Sequence, residues 1–194
     1  MVEILSIDIP DKLTTFVRQV LDEPERFCAS ACKRQDSVDP YTPSLPILSD
    51  DFIRSRDKNL EGWNGVSLTT ARFKHVCQIP IPPMRVMVPV IHQLETILTT
   101  SMQQIRGNFF YPEGGYMGWH TNSDLPGTRV YMSYAEQENQ SYFKYVNDDS
   151  IIISPDVKGW TVRKFVVGNT DDTRLWHCIS AHGCRRISFG FLFK

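Results

Sequence analysis

The second half of the chain constrains the fold most. From residue 105 to residue 193, "IRGNFFY", "GYMGWHT", "TRVYMSYA", "SYFKYV", "SIIIS", "GWTVRKFVV", "TRLWHCIS" and "RRISFGFLF" follow one another. Each is short and rich in aromatic and β-branched residues, and turn formers separate them. Eight such strands in so short a stretch predict a β-sandwich, a jelly roll or a small barrel.

The first half reads differently. "VEILSI" (2–7) predicts a short strand. "IPDKLTTFVRQVLDE" (9–23) predicts a helix, with Leu13, Phe16, Val17, Val20 and Leu21 at helical spacing. A second helix falls within 80–104, with Pro89 as a start or a kink and Val90, Ile91, Leu94, Ile97 and Leu98 as its apolar stripe. Between them lie a Pro-rich connection (39–51) and a strand or two within 65–76. The helices are expected to cover one sheet. The expected organisation is therefore one domain, 1–194, in which 1–104 supports a β core of 105–194.

Composition is that of an ordinary globule, 41% hydrophobic and 22% charged, with a net charge of -1. No basic excess, and no basic stretch interleaved with aromatics, points to nucleic acid. No apolar run approaches the roughly 20 residues that span a membrane. The five Cys, at 28, 32, 77, 178 and 184, are odd in number and form no CxxC, and no secretory leader opens the sequence. The expectation is free thiols in a reducing compartment, the cytoplasm. Cys28 and Cys32, four apart, read as one face of a helix before they read as half of a zinc site.

Three His lie among the predicted strands. His120 and His177 each follow a Trp near a strand end; His182 sits in the loop "SAHGCRR" and reads as a turn residue. His75 and His92 read as structural. A lone His beside a Trp on a strand is more often packed than ligating. Two from different strands, joined by a carboxylate, make the facial triad of non-heme iron oxygenases.

The stretch 108–191 resembles the 2-oxoglutarate/Fe(II)-dependent dioxygenases. "YPEGGYMGWHTN" is similar to the prolyl hydroxylase segment in which a Tyr, a Gly pair and an aromatic lead to the first metal His. "WHCISAHGCRRIS" is similar to the later segment, in which Arg-x-Ser follows the distal His. The resemblance implies a double-stranded β-helix, mainly β with flanking helices. It implies Fe(II) held by His120 and His177, with 2-oxoglutarate as cosubstrate. Tyr111, Arg186 and Ser188 would bind that cosubstrate. Arg186 and Ser188 are two apart and so share one side of a strand with Gly190, whose missing side chain leaves space, whereas Arg185 points away. Trp119 and Trp176 would fill the barrel walls.

The third ligand stays open at this stage. The family places an acid two residues after the first His; here that residue is Asn122, and the acid comes at Asp124. In an extended chain Asp124 would lie about 13 Å beyond His120, at roughly 3.3 Å per residue. "TNSDLPG" is dense in turn formers, so a bend could return Asp124 to the metal. Alternatively Asn122 ligates, or two His suffice, as in the aspartyl/asparaginyl β-hydroxylase branch. Arg129, nine residues after His120, is placed like that branch's cosubstrate Arg.

The function that follows is hydroxylation of a protein side chain or a small molecule. The loop 135–141 and the Pro-rich segment are candidates for the substrate entrance. A reading from another class is a jelly-roll binding or interaction module whose metal site is degenerate, favoured by the irregular His120-to-Asp124 spacing.

Overall fold

The computed structural model describes residues 1–28, 48–56, 74–170 and 173–194. The Pro-rich residues 39–47, Cys32 and most of the strand expected within 65–76 lie outside the described residues.

In chain order the elements are β1 (Glu3–Ile4), α1 (Asp11–Asp22), α2 (Pro24–Phe27), α3 (Asp50–Arg56), β2 (Lys74–His75), β3 (Cys77–Gln78) and α4 (Met84–Leu98). They continue with β4 (Met102–Tyr111), β5 (Gly115–His120), β6 (Gly127–Ala135), β7 (Tyr142–Asn147), β8 (Ser150–Pro155), β9 (Gly159–Val167), β10 (His177–Ala181) and β11 (Arg186–Phe193). Each of the eight segments read as strands contains one. The 9–23 helix is α1, and the second helix is α4, which begins after Pro83 and runs through Pro89.

The strands form a six-stranded sheet, β1-β9-β6-β11-β4-β3, and a five-stranded sheet, β2-β5-β10-β7-β8, with antiparallel neighbours throughout. The fold is mainly β, a double-stranded β-helix with helices laid on its outside.

Period-two alternation sorts the side chains. On β11, Ile187, Phe189, Phe191 and Phe193 face the helices and pack with Leu13 and Val17 of α1 and Met87 and Val90 of α4. Arg186, Ser188, Gly190 and Leu192 therefore face the barrel interior. The middle of that interior is apolar, built from Met117, Phe143, Phe165 and Ile179. A third cluster covers the outside of the five-stranded sheet, where Trp119 and Cys178 pack with Leu48 and with Ile53 of α3. Trp119 thus belongs to the outer layer, and Trp176 packs against the same cluster, so neither lines the interior.

Two irregularities break the alternation at one end of the barrel. On β5, His120 pairs with His177 and Met117 with Ile179, so three steps on β5 match two on β10. This bulge sends Trp119 outward and His120 inward. On β4, Phe109 pairs with Ser188 and Arg106 with Gly190, again three steps against two. Gly107, at φ 79°, makes that bulge, and Arg106 turns to the inner face. The bulge presses on β11: a Cβ added at Gly190 would stand 2.1 Å from the carbonyl oxygen of Arg106.

Three expectations are corrected. Cys77 is disulfide-bonded, a pairing that sequence spacing did not reveal, whereas Cys28, Cys178 and Cys184 are free thiols. Helix α2 ends at Phe27, so Cys28 lies just past a helix, in extended backbone. The loop after β6 lies at the barrel end away from His120, where Asn139 N–H donates to the Asp156 carbonyl and Gly183 N–H to that of Gln140. Among the described residues no helix is long and apolar enough to cross a membrane.

Gly190→Ala is expected to destabilise the protein by about 1–3 kcal/mol, because backbone must move to admit the methyl group. Urea denaturation of the two proteins, followed by circular dichroism, checks this.

Candidate metal and anion site

The β5 bulge brings His120 and His177 side by side on the inner face, with ring centroids 4.1 Å apart. Each ring is oriented by the backbone behind it. His120 Nδ1 lies 2.8 Å from the Gly118 carbonyl oxygen, and His177 Nδ1 lies 2.9 Å from that of Leu175. A carbonyl can only accept, so both Nδ1 atoms carry the proton and both Nε2 atoms present a lone pair. Phe143 stacks on His177 at 5.1 Å. Burial pushes the His120 pKa down to about 4 and that of His177 well below its ordinary value. Two neutral imidazoles, each with an Nε2 lone pair, are the donor type that suits a metal.

The chain bends where the sequence suggested, but the bend delivers a different residue. Asn122 adopts the left-handed conformation, φ 56°, and Leu125 N–H closes the turn onto its carbonyl. The Asn122 side chain then reaches back. Its amide nitrogen lies 3.2 Å from His177 Nε2 and donates to the Tyr131 hydroxyl at 2.9 Å. Asp124 turns outward instead, is 46% exposed, and meets Arg106 at 3.8 Å. Among the described residues, no group of three or more His, Cys, Asp or Glu is gathered as a metal site. The position beside the two imidazoles that an acid was expected to fill holds an amide.

A small cavity runs from His120 into the barrel. Tyr111, Tyr131, Arg186 and Ser188 line it, together with Gly107 and Gly190 of the β4 bulge contact. Tyr111, Arg186 and Ser188, singled out in the sequence, are thus brought together with the first His. Burial raises the pKa of Tyr111, outweighing the lowering effect of the nearby Arg186 charge, and pushes that of Tyr131 up to about 12. Both phenols are neutral at pH 7. Arg129, expected beside them, stands elsewhere. It pairs with Leu192 on β11, six residues from Arg186, or about 20 Å along the strand.

Sequence reading missed the group that holds Arg186. Asp156, fully buried, accepts from Ser133 Oγ at 2.9 Å, Ser141 Oγ at 2.6 Å, Arg163 Nη1 at 2.5 Å and Arg186 Nε at 2.9 Å. Burial alone would raise its pKa; Arg186 and Arg163 outweigh that and hold it well below the usual carboxylate range. Arg163 spends its remaining donors on Ser154 Oγ and on the carbonyls of Ser154 and Pro155. Arg186 does not: its Nη1 is buried with no hydrogen-bond partner among the described residues. Two guanidinium groups share one carboxylate, so the cluster carries one uncompensated positive charge beside the cavity. A guanidinium with a donor to spare can take up a carboxylate. "SPDVKG" gives no local sign of a buried acid, and only the closing of the barrel reveals it. Tyr131 had a signal, since it shares a strand side with Arg129.

No family model matches the chain, and no curated protein matches it. Among solved structures, it is similar to a Trichoplax adhaerens prolyl hydroxylase in complex with a hypoxia inducible factor peptide fragment. The identity is 10% and the TM-score 0.54, over 99% of this chain and 82% of that one. It is also similar to a Pseudomonas putida prolyl-4-hydroxylase, with 12% identity and a TM-score of 0.48, over 100% of this chain and 92% of the other. The Trichoplax likeness is one of fold.

Two outcomes are expected of these buried groups. Asp156→Asn leaves two buried cations without their counter-charge and is expected to cost about 3–5 kcal/mol of stability, read from urea midpoints. The His pair gives stability the opposite sign with acid from a salt-bridged His. Its folded pKa values lie below the unfolded value of 6.5, so the unfolded chain takes up protons first. Stability should therefore fall steadily as pH drops from about 6.5 to about 4. His120→Gln should flatten that slope.

Proposed function

We propose that the chain is an Fe(II)- and 2-oxoglutarate-dependent dioxygenase that hydroxylates an organic substrate. The observation that carries this reading is the cavity with His120 at one end and the unpartnered Arg186 Nη1, with Tyr111 and Ser188, at the other. The donor set suits the metal. Nε2 of His120 and of His177 would hold it, and Asn122 would complete the set through its amide oxygen. Neighbouring donors on one ion, with bonds of 2.0–2.2 Å, stand roughly 3 Å apart. The Asn122 amide is 3.2 Å from His177 Nε2, close to that spacing. Rotating the amide by a half turn exchanges its oxygen for its nitrogen and keeps the Tyr131 hydroxyl as partner.

Arg186, neutralised only in part by Asp156, would grip the far carboxylate of 2-oxoglutarate, with Ser188 and Tyr111 adding hydroxyl donors. The apolar wall of Met117, Phe143 and Ile179 keeps water from the reacting end. The iron and cosubstrate, when bound, supply the chemistry: one atom of dioxygen converts 2-oxoglutarate to succinate and carbon dioxide, and the other enters the substrate. A protein side chain is the substrate class that the peptide complex of the Trichoplax neighbour suggests, and a small molecule fits the same chemistry.

One observation favours a second reading, a binding module with a degenerate metal site: among the described residues no acid joins the two His. The same measurement separates the two. Anaerobic Fe(II) and 2-oxoglutarate are expected to give a visible charge-transfer band, and admission of air to give succinate. His120→Ala should cut succinate formation at least about 100-fold, the upper end of what losing a supporting partner costs a metal site. Arg186→Met should raise the KM for 2-oxoglutarate about 10–100-fold, the worth of a hydrogen bond to a charged group. Asn122→Asp should tighten Fe(II) binding. Well-folded protein that gives neither band nor succinate is the binding module.

A further inference from the structure

We propose that Arg129, assisted by Arg106, binds a carboxylate of the primary substrate at the solvent-facing end of the barrel, so that the substrates of this site are acidic. The inference rests on the dioxygenase reading and concerns a second anion site, apart from the one at Arg186.

Four observations carry it. Arg129 and Tyr131 are two residues apart on β6 and share its inner side, so Arg129 stands on the outer side of Tyr131 from the cavity, toward the barrel mouth. Arg106 reaches the same end because the β4 bulge turns it inward, and β4 and β6 flank β11 on either side. The two cations thus lie at the end of the barrel that carries the His pair.

Their charge is poorly answered. Asp124 meets Arg106 at 3.8 Å with both side chains about half exposed, a contact that contributes little in water. Arg129 is only 3% exposed. Its Nη2 donates to the Leu125 carbonyl, and its buried Nε has no hydrogen-bond partner among the described residues. Burial pushes its pKa down, yet a guanidinium stays charged. A buried, charged group with an idle donor is costly unless an anion completes it. The planar guanidinium fits a carboxylate edge.

The site is distinct from the cosubstrate's. Arg129 and Arg186 lie against opposite ends of β11, farther apart than one short dicarboxylate spans. Arg129 shares the inner side of β6 with Tyr131, and the Asn122 amide joins the Tyr131 hydroxyl to His177. An anion held at Arg129 therefore sets the rest of its molecule against the metal position.

The test uses the full chain loaded anaerobically with Fe(II) and 2-oxoglutarate, titrated calorimetrically with N-acetylglutamate, N-acetylglutamine and inorganic phosphate. N-acetylglutamate is expected to bind about tenfold or more tightly than N-acetylglutamine, the difference a charged partner makes. Arg129→Met should erase that preference, Arg129→Lys restore part of it, and Arg106→Gln reduce it several-fold. Arg186→Met should weaken 2-oxoglutarate and leave the N-acetylglutamate preference intact. Circular dichroism of each variant establishes that it is folded.

Equal binding of the acid and the amide overturns the proposal, as does a folded Arg129→Met that keeps the preference. Weakening of 2-oxoglutarate by Arg129→Met makes Arg129 a cosubstrate residue and also overturns it. Tighter binding of phosphate than of N-acetylglutamate overturns the carboxylate assignment. If wild-type protein takes up no 2-oxoglutarate yet binds N-acetylglutamate through Arg129, the anion site stands and the dioxygenase reading fails.

Discussion

The strict alternation of a β-strand, and its interruption at two points, is the constraint on which this site depends. A strand that faces helices on one side and a barrel interior on the other has no freedom in where its side chains point. Inserting one residue reverses the assignment for everything beyond it. The β5 bulge does this just before His120, and the β4 bulge does it just after Arg106. With unbroken strands, Trp119 would occupy the interior and His120 would lie under α3. The apolar layers would survive such a change, but the polar end of the barrel would not.

The interior is divided by chemistry along its length. One end carries the buried Arg163–Asp156–Arg186 cluster, the middle is apolar, and the other end carries the two imidazoles, Asn122 and Arg129. The Asp156 cluster is held by hydrogen bonds from four side chains, so its geometry is fixed before any ligand arrives. Buried ion pairs seldom stabilise a fold on balance, because desolvation offsets their attraction. The one kept here leaves a buried donor, Arg186 Nη1, to spare.

Much of this was legible in the sequence, and the failures have physical causes. The strands were readable because aromatic and β-branched runs between turn formers are local signals. The companionship of His120, Tyr111, Arg186 and Ser188 was readable because motif spacing preserves strand register. Asp156 was invisible, since its partners come from four other parts of the chain. Arg106 was not singled out, because a bulge cannot be counted from one strand alone. The third position stayed open for a simpler reason. Turn formers announced a bend, but which side chain a bend presents depends on dihedral angles, and Asn122 took the left-handed one.

That left-handed turn has a consequence for how the site can vary. A positive φ is readily tolerated by Gly, Asn and Asp and strains most other residues. Gly offers no donor atom. The backbone at residue 122 therefore admits an alphabet of two useful letters, one neutral and one anionic, nearly identical in shape. The folding of the loop and the charge beside the imidazoles are written in the same residue but are separable. A lineage carrying this barrel could exchange one for the other without disturbing the turn, and so retune the centre by a single unit of charge.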